Sequence, residues 1–88
     1  MIRVRVVVDG QVQGVWYRQS CQREAVAQGV AGWVRNNEDG SVEAALEGEP
    51  DAVSRVLEWM SHGPPHAIVT RVMTHQEVPK AERGFAIR

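Results

Sequence analysis

The first eight residues after Met1 alternate in a way that limits how the chain can fold. Their even-numbered positions are apolar and β-branched, namely Ile2, Val4, Val6 and Val8. Their odd-numbered positions include the charged residues Arg3, Arg5 and Asp9. A period of two is typical of a strand with one buried and one hydrated face. We therefore expect an antiparallel sheet that is covered on a single side.

Two segments have the spacing of amphipathic helices. The first spans 18–28 and carries an apolar stripe at every fourth residue, made by Tyr17, Cys21 and Ala25. Gly29 is a typical C-terminal stop. The second opens at Glu49-Pro50-Asp51 and ends at Gly63-Pro64-Pro65. Its core face consists of Val53, Val56, Leu57 and Met60.

The remaining segments have the composition of strands. Residues 30–36 and 41–47 flank Asn37-Glu38-Asp39-Gly40, whose Asp-Gly ending predicts a tight hairpin turn. Residues 67–77 form a further strand, and Phe85 and Ile87 a short closing one. The order β-α-β-β-α-β is that of an α+β, ferredoxin-like split βαβ sandwich, with two helices on one face of an antiparallel sheet.

Length and charge exclude several classes of protein. A chain of 88 residues has room for one domain, which we assign to residues 1–88. A net charge of −1, well mixed along the chain, disfavours nucleic acid as a ligand. Cys21 is a lone cysteine, and we see no signal peptide or membrane-spanning run. We expect a cytoplasmic monomer without a membrane partner.

One stretch reads as a functional site: Gly10-Gln11-Val12-Gln13-Gly14-Val15-Trp16-Tyr17-Arg18. Two glycines four apart let successive amides point into one concavity, and the start of the first helix adds its own free N–H groups. Arg18 supplies a planar, permanently charged fork for an oxyanion. The same spacing also suits a simple connection. It is neither a Walker loop nor a dinucleotide fingerprint.

This stretch, followed by Gly32-Trp33-Val34-Arg35-Asn36, resembles the signature pair of the acylphosphatase family. The closing Gly84-Phe85-Ala86-Ile87-Arg88 is similar to the C-terminal strand of that family, and the element order agrees with its ferredoxin-like fold. The resemblance thus spans the whole chain. Two departures are Tyr17, where phenylalanine is more usual, and the bulky Trp16.

The resemblance implies hydrolysis of an acyl phosphate to a carboxylate and inorganic phosphate, without a metal or another cofactor. It makes Arg18 the phosphate-binding arginine and Asn36 the catalytic asparagine. The substrate-binding residues that it implies are Gln13, Gly14, Val15, Trp16, Tyr17 and Arg18, with the backbone amides from Gln13 to Tyr17 as the cradle.

The chemistry of an asparagine is compatible with this role. Its amide cannot act as a base near neutral pH, but its carbonyl oxygen can accept a hydrogen bond from water and orient it. The residues alone leave another role open, because Asn36 could instead cap the turn that leads to Gly40. A non-catalytic module that binds an anion or a protein partner also remains an alternative. An RNA-binding version lacks paired aromatics and a basic stripe.

Other reactive side chains receive structural interpretations. We expect Cys21 to be a small buried residue. His62 and His66 are four apart, but Gly63-Pro64-Pro65 between them excludes a helical metal pair, and His62 is expected near the dipole at the helix end. An acidic group is predicted to be a solvated face, consisting of Glu43, Glu47, Glu49 and Asp51.

Overall fold

The computed structural model describes residues 1–88 and contains a five-stranded sheet with two helices packed on one face. In chain order the elements are β1 (Ile2–Gln11), α1 (Tyr17–Gln28), β2 (Ala31–Asn36), β3 (Val42–Gly48), α2 (Pro50–Met60), β4 (Ile68–Glu77) and β5 (Phe85–Ile87). The strand order is β4-β1-β3-β2-β5. The first four strands pair antiparallel, which confirms the predicted ferredoxin-like fold. The closing strand β5 instead pairs parallel with β2, so the whole sheet is mixed.

The hydrophobic core lies between the sheet and the two helices. Val6 and Val8 of β1 are fully buried there, as their alternation predicted. Helix α1 contributes its predicted stripe of Tyr17, Cys21 and Ala25. It ends at Gly29, whose φ of 72° lies in the left-handed region. Helix α2 contributes Ala52, Val53, Val56 and Met60, with Leu57 partly buried beside them.

The face of the sheet without helices is less hydrated than predicted. Arg3 is only 1% exposed and Glu47 only 2%. The Nη1 atom of Arg3 lies 3.1 Å from Oε1 of Glu47. The chain between β4 and β5 explains this burial, because the backbone N–H groups of Lys80 and Glu82 donate to the Glu47 carboxylate at 2.8 and 3.0 Å. The predicted solvated role of Glu47 is therefore wrong.

Trp33 is buried on this same face by charged side chains. It is 4% exposed, and three guanidinium carbons lie over its ring, from Arg5 at 5.0 Å, Arg35 at 5.1 Å and Arg88 at 4.7 Å. Arginine stacks well on an aromatic face because it is planar and weakly hydrated. These arginines thus shield an apolar ring that has no helix above it.

Gly10 lies in β1 and not in the loop where the sequence placed it. Its φ is 128°, and the pairing of β1 with β4 shifts register between Asp9 and Gly10. A Cβ atom here would lie 2.0 Å from the carbonyl oxygen of Ile68. Gly10 therefore permits the close approach of β4, and the functional loop begins after Gln11.

Candidate active site

A pocket of about 200 Å³ opens where the loop from β1 to α1 meets the end of β2. The residues that line it are Val12, Gly14, Trp16, Tyr17, Arg18, Gln19 and Asn36. The structure thus brings together five of the residues singled out from the sequence, namely Gly14, Trp16, Tyr17, Arg18 and Asn36. Gln13 and Val15 do not line this pocket.

The start of helix α1 forms one wall of the pocket. Trp16 occupies the N-cap position, and no side chain caps the helix. The first turn contains no acidic residue. The first N–H groups of a helix lack partners within the helix and lie at the positive end of its dipole. This wall therefore presents hydrogen-bond donors to an anion, without a carboxylate of the same turn in competition.

Arg18 is the second residue of α1 and the only cationic side chain that lines the pocket. No Asp or Glu side chain lies within 4 Å of its guanidinium. Its Nη1 atom donates to the main-chain oxygen of Arg88 at 3.4 Å. The backbone N–H of Arg88 in turn donates to the carbonyl oxygen of Val34 at 2.8 Å. Arg18 is thus oriented by the chain beyond β5, and no Asp or Glu side chain pairs with its charge.

Tyr17 anchors the start of α1 to the end of α2. Its hydroxyl donates to the backbone carbonyl oxygen of Met60 at 2.6 Å, and its ring centroid lies 5.3 Å from that of Trp59. Burial, followed by the nearby Cys21, raises the pKa of Tyr17, so the phenol stays neutral. A Cβ atom at Gly63 would lie 2.7 Å from the Tyr17 ring. The Tyr17 hydroxyl, which the more usual phenylalanine would lack, therefore links the start of α1 to the end of α2.

Asn36 is the last residue of β2, and its backbone pairs with Val42 of β3. It is exposed, lines the pocket, and its side chain makes no hydrogen bond to another residue of the protein. The turn is stabilised by its neighbours instead. Asn37 donates from Nδ2 to the Ser41 hydroxyl at 2.9 Å, and Asp39 accepts from that hydroxyl at 2.6 Å. The amide of Asn36 is thus free to contact a ligand.

Gln13 connects the loop to this turn. Its Nε2 atom donates to the carbonyl oxygens of Asn37 at 2.8 Å and Ser41 at 2.9 Å. These bonds hold the loop against the segment that directly follows Asn36. Val15 packs partly buried against the core. The side chains of both residues therefore position the loop instead of lining the pocket.

Two residues of the lining, Val12 and Gln19, were not predicted as substrate-binding residues, although Val12 lies in the predicted loop. Val12 is 1% exposed and belongs to the core. Gln19 follows Arg18 in the first turn of α1, which is the signal that could have identified it. A polar side chain one residue beyond an anion-binding loop faces the same helix end.

The remaining reactive groups lie outside the pocket. Cys21 is fully buried as predicted, and burial, followed by the charge of Glu24, raises its pKa to about 12. His62 lies with Nε2 at 3.3 Å from Glu58, both on the surface. No three His, Cys, Asp or Glu side chains come together in a possible metal-binding group.

Comparisons with known proteins agree with one another. The family model described as Acylphosphatase matches residues 4–87. The acylphosphatase of Gloeobacter violaceus is 45% identical over 86 residues, which cover 98% of this chain and 92% of the relative. That of Rubrobacter xylanophilus is 49% identical, with 98% and 79% covered. Among solved structures, the acylphosphatase from Bacillus subtilis superposes with a TM-score of 0.97 at 36% identity, covering 100% of this chain and 99% of that one.

Proposed function

Because the chain belongs to the acylphosphatase family, whose enzymes hydrolyse acyl phosphates to a carboxylate and inorganic phosphate, we propose how its own residues perform that reaction. In this proposal Arg18 binds the phosphoryl group and Asn36 orients the attacking water. One observation carries it: a guanidinium that no Asp or Glu side chain pairs with and an unpartnered side-chain amide line the same pocket. Both have hydrogen-bond capacity that the rest of the protein does not use.

Phosphate binding combines backbone and side-chain donors. The amides from Gln13 to Tyr17 form the cradle, and the open first turn of α1 supplies further N–H groups. Arg18 donates two parallel hydrogen bonds to phosphoryl oxygens, a geometry that lysine cannot provide. Gln19 lines the same pocket and adds a polar side chain to it.

Asn36 contributes orientation rather than base catalysis. Its carbonyl oxygen accepts a hydrogen bond from water and directs a lone pair at phosphorus. This suffices because the anhydride has a good carboxylate leaving group and phosphoryl transfer passes through a loose transition state. Fixed donors then stabilise the charge on the phosphoryl oxygens. The water's proton goes to the phosphate product, so no protein base is needed.

The proposal involves no cofactor or metal. It places the enzyme in the cytoplasm as a monomer that consists of one domain, residues 1–88, with no membrane or nucleic-acid partner. Neither helix has the length and apolar character needed to cross a bilayer. The charges of the sheet surface are largely paired with one another, as at Arg5 and Arg35, which both contact Glu43 at 2.9 Å.

Hydrolysis of benzoyl phosphate by the purified protein, with and without a chelator, tests the proposal. We expect saturable turnover that inorganic phosphate inhibits competitively and that the chelator does not change. Activity that disappears on chelation and returns with added divalent metal would contradict the metal-free mechanism. Turnover of benzoyl phosphate no faster than its spontaneous hydrolysis would contradict the function itself.

A further inference from the structure

Trp16 is an unusually exposed tryptophan. Its exposed fraction is 71%, whereas Trp33 is only 4% exposed and the ring of Trp59 packs against Tyr17. It also lines the pocket that holds Arg18 and Asn36. A large apolar surface beside a polar pocket is typical of a place where a ligand is bound.

The lining of the pocket divides into a polar and an apolar part. The polar part consists of Gly14, Arg18, Gln19 and Asn36. The apolar part consists of Val12, Trp16 and Tyr17. Val12 and Tyr17 are 1% and 2% exposed, so they offer almost no surface to a ligand. Of the three apolar residues in the lining, Trp16 is therefore the one with substantial exposed surface.

The backbone of Trp16 adds a second observation. Its φ of 65° and ψ of 22° lie in the left-handed region, which residues other than glycine seldom adopt. Glycine would adopt this conformation without strain. The indole contributes no cap to α1 and little to the core, so folding does not account for it. Strained residues of this kind cluster at functional sites.

We propose that the Trp16 indole binds the acyl group of the substrate and selects acyl phosphates whose acyl group is aromatic. This inference rests on the function proposed above. With the phosphoryl group held by Arg18 in the polar part, the acyl group of the substrate extends toward the apolar part. A planar aromatic acyl group stacks on the indole, while an acetyl group is too small to cover it.

The test compares benzoyl phosphate with acetyl phosphate in three proteins: wild type, Trp16→Gly and Trp16→Phe. Glycine suits the positive φ, so Trp16→Gly removes the indole without adding strain. We expect the ratio of kcat/KM for benzoyl phosphate to that for acetyl phosphate to fall roughly tenfold in Trp16→Gly, mainly through KM. Phenylalanine keeps an aromatic face, so Trp16→Phe should restore most of the ratio. The intrinsic reactivities of the two substrates cancel in this comparison.

Binding of benzoylphosphonate and acetylphosphonate, measured by calorimetry, separates this inference from the function itself. These analogues cannot be hydrolysed, so their affinity ratio reports on the indole even if turnover is absent. A ratio that falls in Trp16→Gly and recovers in Trp16→Phe supports the proposal. A ratio that is equal in wild type and Trp16→Gly overturns it, whether or not acyl phosphates are hydrolysed.

Discussion

The guanidinium of Arg3 lies among three glutamate side chains, whereas that of Arg18 has no Asp or Glu side chain within 4 Å. Arg3 contacts Glu47 and Glu77 at 3.1 Å and Glu82 at 3.3 Å, and its side chain is 1% exposed. Arg18 is half-buried beside an open pocket, and the main-chain oxygen of Arg88 at 3.4 Å is its one protein hydrogen-bond acceptor. Arg3 is thus surrounded by carboxylate partners, whereas Arg18 keeps N–H donors that no protein group accepts.

The ion pairs of Arg3 with Glu47, Glu77 and Glu82 stabilise the fold. Burial lowers the pKa of Arg3, but hydrogen bonds to its three carboxylates outweigh this effect and raise it. Hydrogen bonds from the backbone N–H of Lys80, with others from Glu82 and Arg3, lower the pKa of Glu47 despite its desolvation. The network therefore joins β1 and β3 to the chain that follows β4. All hydrogen-bond partners of Arg3 and Glu47 in this network are groups of the protein itself.

In the proposed function the more open surroundings of Arg18 serve binding instead. A charge that no Asp or Glu side chain neutralises attracts an anion more strongly, and a pocket with few competing acceptors strengthens this attraction. The comparison therefore teaches that partners, more than residue type, separate a structural arginine from one available for substrate.

The largest effect is expected for Arg18→Ala. It should lower kcat/KM for benzoyl phosphate by about 10³-fold, because both phosphoryl binding and transition-state stabilisation depend on this charge. Inhibition by inorganic phosphate should weaken in parallel. The free energy of unfolding should stay within about 0.5 kcal/mol of wild type, since Arg18 pairs with no Asp or Glu side chain and its one contact is exposed. Steady-state kinetics and urea denaturation measure these quantities.

Arg23→Ala is the matched control for this variant. Arg23 lies on the same helix, is exposed and forms no ion pair, but it does not line the pocket. Both variants remove one positive charge from the protein. If Arg23→Ala reduced kcat/KM as strongly as Arg18→Ala, net charge rather than phosphoryl contact would explain the loss.

Arg3→Met should show the reverse pattern. It leaves Glu47 buried without its cation, which should lower the free energy of unfolding by roughly 3 kcal/mol while kcat is retained. The carboxylates add a pH signature. Their pKa values in the folded protein lie below the ordinary 4.5, so they stabilise the wild type above that pH and lose the contribution as pH falls.

Urea denaturation between pH 7 and pH 3 measures this signature. Wild type should lose stability below about pH 4.5, and Arg3→Met should lose less because Glu47 and Glu77 then titrate closer to their ordinary values. An Arg3→Met variant as stable as wild type, with an unchanged pH profile, would show that the network is not a folding device.

The helices and strands are predicted from the sequence far better than the ion pairs of Arg3. Alternation, helical spacing, turn residues and strand-forming composition together predict all five strands and both helices. The ion pairs of Arg3 escaped prediction, since they join residues 44 to 79 positions apart. A charged residue on a strand is expected to face water until a distant segment is known to cover it.

In the candidate site, too, the sequence predicts which residues come together but not which way each side chain faces. Local spacing and the family resemblance predicted the loop and Arg18, and the structure brings Asn36 into the same pocket. The side chain of Gln13, however, turns away to bind Asn37 and Ser41. Which side of a loop a side chain faces depends on the partners that the fold provides, and no pattern in the chain encodes them.

The same comparison applies to two neighbouring asparagines, Asn36 and Asn37, and their alanine variants give the smallest expected effects. Asn36 has an unpartnered side-chain amide in the pocket, whereas the side-chain amide of Asn37 donates to the Ser41 hydroxyl and its backbone carbonyl oxygen accepts from Gln13. Asn36→Ala should lower kcat for benzoyl phosphate about 10²-fold through loss of water orientation, with the inhibition constant for phosphate within about twofold of wild type.

Asn37→Ala is the control: it should instead lower the free energy of unfolding by about 1 kcal/mol and retain kcat. An Asn36→Ala enzyme with wild-type kcat would remove the water-orienting role and leave Arg18 and the backbone as the only catalytic groups.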